Sequence, residues 1–299
     1  MAVGYIGLGS MGGALAHRLQ LSVPLTVHDM NPAAVQKLVE QGARAADGLA
    51  ELAANCETVM LCLPTSQHVE DLLYGRGDLA RHLRPGSVVI DQTTGDPSVT
   101  RALAERLRGA GVAMLDAPVS GGPVGAQAGT IAIMVGGSAE DYARIEPLLN
   151  KISPNVVRAG DIGTGNVIKL ANNMLSAAQR FVAMEAVALA VKNGVDADRA
   201  VEIINKGSGR NFFTELMFQK HIVSGNLPSG FTLGLLHKDV RLACQLGAET
   251  GVAMQFGDVA KNFLQMSMNA YSYDTQVNAA ALMMDRLCGT QVVPEYHTL

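Results

Sequence analysis

The chain has 299 residues, of which 48% are apolar and 17% charged, and its formal net charge is −4. That length suits two domains, and that composition excludes a disordered chain. The slight acidity, with no basic stripe or aromatic platform, argues against nucleic acid or an anionic membrane as a partner.

The first half alternates strand-like and helix-like segments. Val3–Gly7 reads as a strand and follows Met1-Ala2 directly, with no basic stretch of the signal-peptide kind. Next comes Gly7-Leu8-Gly9-Ser10-Met11-Gly12, running into an expected helix over Met11–Leu21. Such a turn between strand and helix suits a pyrophosphate. The first glycine permits the tight turn, the second lets backbone approach the ligand, and the third lets helix pack on sheet. The anion then meets the amide donors of a helix N-terminus. The plainer alternative is an ordinary glycine-rich turn.

The second strand, Leu25–Asp29, ends on an acid. The Asp29 carboxylate suits two ribose hydroxyls and would repel a 2′-phosphate. Met30 and Asn31 follow it with no arginine nearby, which favours NAD over NADP. Asp29 could instead serve only as a turn or helix cap ahead of Pro32, which suits the first turn of a helix to about Gln41.

Further strands are expected over Thr58–Leu63, Ser87–Asp91, Val112–Asp116 and Ile131–Val135. A helix over Pro97–Arg108 is expected to stop at Gly109. Three turns follow these strands: Leu63-Pro64-Thr65, Gln92-Thr93-Thr94-Gly95 and Pro118-Val119-Ser120-Gly121-Gly122. In an open parallel sheet the carboxyl ends of the strands share one rim, where ligands bind. Thr94 could touch the nicotinamide or its ribose. Ser120, Gly121 and Gly122 offer a hydroxyl and amides suited to a substrate carboxylate. The fold class expected is α/β: a doubly wound Rossmann-type sheet over 1–163, then an all-α domain over 164–299 for substrate and oligomerisation.

Past residue 163 long helical patterns dominate: Asn166–Lys192, Ala197–Asn205, Thr214–Ser224, Thr232–Thr250 and Val259–Asn269. Asp196 and Thr232 are placed to cap the second and fourth of these. In the first, Asn166, Lys169, Asn173, Ser176 and Arg180 recur three and four apart and share one helix face. Such a stripe faces water or a site. Lys169, Arg180 and Glu185 argue for burial in protein over a membrane span. Cys56, Cys62, Cys244 and Cys288 lie far apart without metal spacing, so a reduced, cytoplasmic setting without zinc is expected.

Taken together, these motifs resemble the 3-hydroxyisobutyrate dehydrogenase, or β-hydroxyacid dehydrogenase, family along nearly the whole chain. The resemblance rests on Gly7–Gly12, Asp91-Gln92-Thr93-Thr94, Asp116 through Gly122, Gly165 through Asn173, and Lys238-Asp239. It implies that Lys169 is the catalytic lysine, Asn173 helps hold substrate, and Ser120, Gly121 and Gly122 take its carboxylate. It also implies cofactor contacts from Leu63, Pro64, Thr94 and Lys238, with Phe231 near the nicotinamide. The chain departs from the family at Thr93, where serine is common, at Gly13, where proline is common, and over residues 207–213, a region that in that family commonly helps shape the substrate pocket.

The implied reaction is hydride transfer between NAD and a small 3-hydroxy acid, 3-hydroxyisobutyrate-like, with Lys169 as general acid/base. A lysine of ordinary pKa, about 10.4, is a poor base near neutrality, and useful ones are tuned to about 7–8. Lys169 could otherwise snorkel from a helix end to water. Lys238 could pair at the surface with Asp239 or Glu249. Arg210 could read a second anionic group on the substrate, or simply be solvated. A homodimer or homotetramer is expected. The alternatives are a reductase of the same fold acting on tartronate semialdehyde or an imine, and a non-catalytic NAD-sensing protein.

Overall fold

The computed structural model describes residues 2–295, which form two compact units divided between Lys169 and Leu170. In the first unit the elements run β1 (Val3–Ile6), α1 (Ser10–Gln20), β2 (Leu25–His28), α2 (Pro32–Val39), β3 (Arg44–Ala45), α3 (Leu49–Asn55), β4 (Thr58–Leu61) and α4 (Ser66–Tyr74). They continue as β5 (Val88–Asp91), α5 (Pro97–Gly109), β6 (Ala113–Asp116), β7 (Val119–Ser120), α6 (Gly122–Ala128), β8 (Ala132–Gly136), α7 (Ala139–Leu149) and β9 (Val156–Gly160).

The sheet order is β3-β2-β1-β4-β5-β6-β8-β7, with β9 pairing β8. Strands β3 through β6 are parallel, whereas β8 runs antiparallel to β6 and β7. Every residue of β1, β4 and β5 is buried, as expected of central parallel strands covered on both faces. One face packs Leu15 and Leu19 of α1 and Ile145 and Leu149 of α7 onto Tyr5, Met60 and Ile90. The other packs Leu52 of α3, Leu73 of α4, and Leu103 and Leu107 of α5 onto Ile6, Leu61 and Val89. Strand order reverses at β1 and β4, so a crevice opens at their carboxyl ends, beside the Gly7–Gly12 turn.

Local signals explain several boundaries. Asn31 caps α2 by accepting from Ala33 N at 3.0 Å, with Pro32 at the first helical position. Asp96 caps α5 in the same way through Ser98 N at 2.8 Å. Helix α5 does not stop ahead of Gly109 but includes it; the reversal comes at Gly111, whose φ of +71° only glycine adopts readily.

Helix α8 (Thr164–Lys192) is 29 residues long and apolar enough to cross a membrane by length and composition. It nevertheless carries buried Asn166, Lys169, Asn173 and Arg180, which suits a core helix. The second unit continues with α9 (Ala197–Lys206), a π-helical segment (Phe213–Val223), α10 (Leu233–Thr250), α11 (Gln255–Ala270), a 3-10 turn (Val277–Ala279) and α12 (Ala280–Cys288). Asp196 and Thr232 cap α9 and α10 as expected. Thr214–Ser224, expected as an α-helix, is instead π-helical through Val223 with Ser224 as its C-cap, and an apolar pattern does not announce i→i+5 bonding. The core of this unit is built from Phe181, Met184, Val201, Phe218, Leu236 and Leu264, with neighbouring side chains.

Candidate functional site

The glycine turn has the geometry a phosphate needs. Gly7 has φ +91°, and a Cβ there would lie 2.3 Å from the Cys62 carbonyl oxygen. A Cβ on Gly12 would lie 2.0 Å from the Gly7 oxygen, so α1 packs tightly against the turn. At Gly9 a Cβ would meet nothing within 4 Å, leaving open space over the backbone. Gly9 is also the N-cap of α1 and makes no side-chain cap bond. Open space over an uncapped helix N-terminus suits a pyrophosphate oxygen.

Asp29 is not the cap of α2, a role that Asn31 fills. Its Oδ2 accepts from Leu8 N at 2.6 Å and its Oδ1 from Asn31 N at 2.7 Å. The acid therefore braces the phosphate turn, and each oxygen keeps a second acceptor site for a sugar hydroxyl. Met30 beside it is 94% exposed.

The later loops on the rim are stitched together. Leu63 N donates to Thr93 Oγ1 at 3.0 Å, and Thr93 N to Asp91 Oδ1 at 2.9 Å. The threonine at the family's serine position thus holds the loop carrying Leu63 and Pro64 against the one carrying Thr94. Asp96 N donates to Ser66 Oγ at 2.7 Å, tying the same loop to α4. Ser120 ends β7, and Gly121 and Gly122 have φ of +135° and +68°, which requires glycine.

Two residues without an expected role organise this rim. Asp116 at the end of β6 accepts from Gly163 N at 2.6 Å and Asn166 N at 2.7 Å. It caps α8 from 47 to 50 positions away in sequence. Burial, opposed by those amide bonds and by Arg101, pushes its pKa up to about 6. Asn166, fully buried, accepts from Gly95 N at 2.9 Å and donates to Thr100 Oγ1 at 3.3 Å. The first turn of α8 is thereby fixed to the loop carrying Thr94, with Lys169 three residues on. No local pattern announces Asp116; its only signal was its place within the Asp116 through Gly122 motif.

Lys169 is 8% exposed, Asn173 7% and Arg180 7%, so the polar stripe is not a solvated face. In the second unit Asn173 Nδ2 donates to Asp239 Oδ2 at 2.6 Å, and Lys238 Nζ pairs with Asp239 Oδ1 at 3.1 Å. Lys238 does pair with Asp239, but the Lys238 side chain is only 13% exposed and that of Asp239 4%. This is no surface pair, and Glu249 bonds Gln245 instead. Asp239, expected only as a possible surface partner of Lys238, joins Asn173 to Lys238. Phe231 precedes the Thr232 cap, and its carbonyl accepts from Val277 N at 2.9 Å.

Residues 2–160 match the family described as the NAD binding domain of 6-phosphogluconate dehydrogenase. Residues 163–284 match the NAD-binding family of NADP-dependent 3-hydroxyisobutyrate dehydrogenase. The 3-hydroxyisobutyrate dehydrogenase of Pseudomonas aeruginosa is 36% identical over 275 residues, 90% of this chain and 92% of that protein. The chain belongs to the 3-hydroxyisobutyrate dehydrogenase family.

The chain is also similar to the 2-(hydroxymethyl)glutarate dehydrogenase of Eubacterium barkeri, 35% identical over 264 residues, 88% of each chain. Among solved structures, the 3-hydroxyisobutyrate dehydrogenase of Mycobacterium tuberculosis with L-serine superposes with a TM-score of 0.86 at 27% identity. That similarity covers 95% of this chain and 98% of the other. Family membership makes this protein an NAD(P)-dependent oxidoreductase.

Proposed function

We propose that this dehydrogenase moves a hydride between NAD and a small 3-hydroxy acid, with Lys169 as the general acid/base. The observation that carries this reading is the anchoring of Lys169. It is a buried lysine, one turn beyond an asparagine bonded to the Thr94–Gly95 loop and an N-terminus held by Asp116. A lysine needed only for solubility has no reason to be buried in this way.

Bound NAD supplies the hydride acceptor. The Gly7–Gly12 turn, with Leu8, Ser10 and Met11, would hold its pyrophosphate, and Asp29, Met30 and Asn31 would face its adenosine ribose. Leu63, Pro64, Thr94, Phe231 and Lys238 would position the nicotinamide end. Ser120, Gly121 and Gly122 would bind the substrate carboxylate, which fixes the carbinol. Lys169 then takes the hydroxyl proton as the carbinol C–H breaks, and in reduction the ammonium returns it to the developing alkoxide. Asn173, oriented by Asp239, would hold the substrate oxygen. The Asp29 carboxylate, with no arginine among its sequence neighbours, favours NAD over the phosphorylated cofactor.

The protein would act as a cytoplasmic homodimer or homotetramer. The four cysteines form no disulfide, as a reducing compartment implies. On α8, Ile168, Leu175, Val182 and Leu189 are 47–68% exposed at seven-residue spacing, and on α11 Phe256 and Val259 are 78% and 68% exposed. A second copy would cover such stripes.

Lys169→Ala tests the mechanism. It is expected to keep NADH binding, followed by fluorescence titration, and to lose turnover by roughly 10²–10⁴-fold. Turnover near that of the wild type would remove Lys169 from the chemistry. A screen of 3-hydroxyisobutyrate, L-serine, threonate, glycerate and tartronate semialdehyde with both cofactors would name the substrate.

A further inference from the structure

Arg180 is a buried cation that the chemistry above leaves unused. It is 7% exposed, and it sits on the face of α8 that carries Asn173 and Ser176. Its Nη1 donates to Asn278 Oδ1, and its guanidinium carbon lies 4.3 Å from the centre of the Phe213 ring. Its Nε is buried and makes no hydrogen bond. Among the described residues, no carboxylate lies within ion-pair distance of it. Burial lowers its pKa to about 10, which still leaves it charged at neutral pH.

Each of its partners is neutral. Asn278 donates through Nδ2 to the Leu227 carbonyl at 2.9 Å, which turns its Oδ1 toward the guanidinium. The Phe213 ring attracts a cation but does not neutralise it. Lys238, a partly buried cation of this unit, has Asp239. An ion taken out of water without an opposite charge costs several kcal/mol. A merely structural position would be filled more stably by an apolar side chain of similar length. A residue retained at that cost suits an anion that arrives from outside.

The helix brings such an anion within reach of the substrate stripe. The Cα of Arg180 lies about 10 Å along the axis from that of Asn173. Helical side chains lean toward the N-terminus, so the guanidinium covers the turn that carries Ser176. Asn278 also adjoins Val277, which is bonded to the Phe231 carbonyl at 2.9 Å. The arginine thus belongs to the same cluster as the segment leading into α10.

We propose that Arg180, with Asn278 and Ser176, recognises a second anionic group on the substrate, so that the preferred 3-hydroxy acids are dianions, above all diacids. This rests on the hydroxy-acid reading given above. A guanidinium fork is the side chain best shaped for a carboxylate, and Nε is a donor that the protein leaves unbonded.

The test compares 3-hydroxy monoacids with 2-(hydroxymethyl) diacids of four- and five-carbon backbone, on wild type, Arg180→Met and Arg180→Lys. Wild type is expected to favour a diacid by roughly 10- to 100-fold in kcat/KM. Arg180→Met is expected to bring that ratio close to one, with the change in KM, while its Tm holds or rises because an unpaired buried charge is gone. Arg180→Lys should fall between. A wild type indifferent to the second carboxylate overturns the proposal. So does an Arg180→Met variant that slows both classes alike with a lower Tm, since that marks a structural arginine. If no hydroxy acid is turned over, the reaction itself is misassigned, and calorimetry on the NADH-bound enzyme decides the anion site. Pentanedioate binding more tightly than butanoate, and losing that advantage in Arg180→Met, sustains it; equal binding ends it.

Discussion

Around the proposed site, the residues named in the two units hold their polar groups in different ways. In the first, side chains reach backbone: Asp29 takes Leu8 N, Thr93 takes Leu63 N, Asn166 takes Gly95 N, and Asp116 takes two amides at the start of α8. In the second, side chains reach side chains, as in Asn173 with Asp239, Lys238 with Asp239, and Arg180 with Asn278. Backbone-directed bonds fix the path of a loop, which suits a ligand that is always the same nucleotide. Contacts between side chains change with a single substitution. In the function proposed above, most cofactor contacts fall on the first unit's loops, and the second-anion site falls on side chains of the second unit.

The contrast can be broken at several points. Gly12→Ala would force a Cβ against the Gly7 carbonyl, 2.0 Å away. It is expected to weaken NADH binding by roughly a hundredfold, about 3 kcal/mol. Binding unchanged in a fluorescence titration would show that the turn does not hold the cofactor. Asp239→Asn removes the charge paired with Lys238 and is expected to cost about 2–3 kcal/mol of stability in urea, with a raised substrate KM. A variant as stable as wild type would show that this pair matters little.

Asp116→Asn sharpens the picture through pH. In the folded protein the acid titrates at about 6, above its value near 3.8 in an unstructured chain. The fold therefore holds the proton more tightly, and stability is greatest below the lower value. Wild type should lose up to about 3 kcal/mol relative to the non-titrating variant as pH rises from about 4 to 6.5. A stability difference that stays flat across that range would place Asp116 in a wetter setting. The smallest effect is expected from Thr100→Val, which removes the 3.3 Å bond from Asn166 and the 3.0 Å bond the same hydroxyl donates to the Asp96 carbonyl, and should cost about 1 kcal/mol.

Much of the first unit was legible from sequence because its signals are local. The strand–turn–helix context of Gly7–Gly12, the acid after β2 and Pro32 at the start of α2 all lie within a few residues of what they shape, as do the caps at Asp196 and Thr232 in the second unit. Helices α3, α4 and α7 and strand β9 carry short or mixed patterns that did not stand out. Asp116 could not be read as a cap, because its partners come 47 to 50 residues later. The polar stripe of α8 allowed water or a site, since periodicity gives a face and not what covers it. The burial of Arg180 depends on Phe213 and Asn278, which only the folded chain brings together.

Under the NAD preference proposed above, the double duty of Asp29 bears on any attempt to retool the enzyme for the phosphorylated coenzyme. Exchanging this acid for a smaller neutral residue would remove the repulsion, and with it the acceptor for Leu8 N. The pyrophosphate bend would lose its buttress as the sugar gained tolerance. Coenzyme switching here calls for a compensating donor-matched replacement near Leu8, not a single exchange.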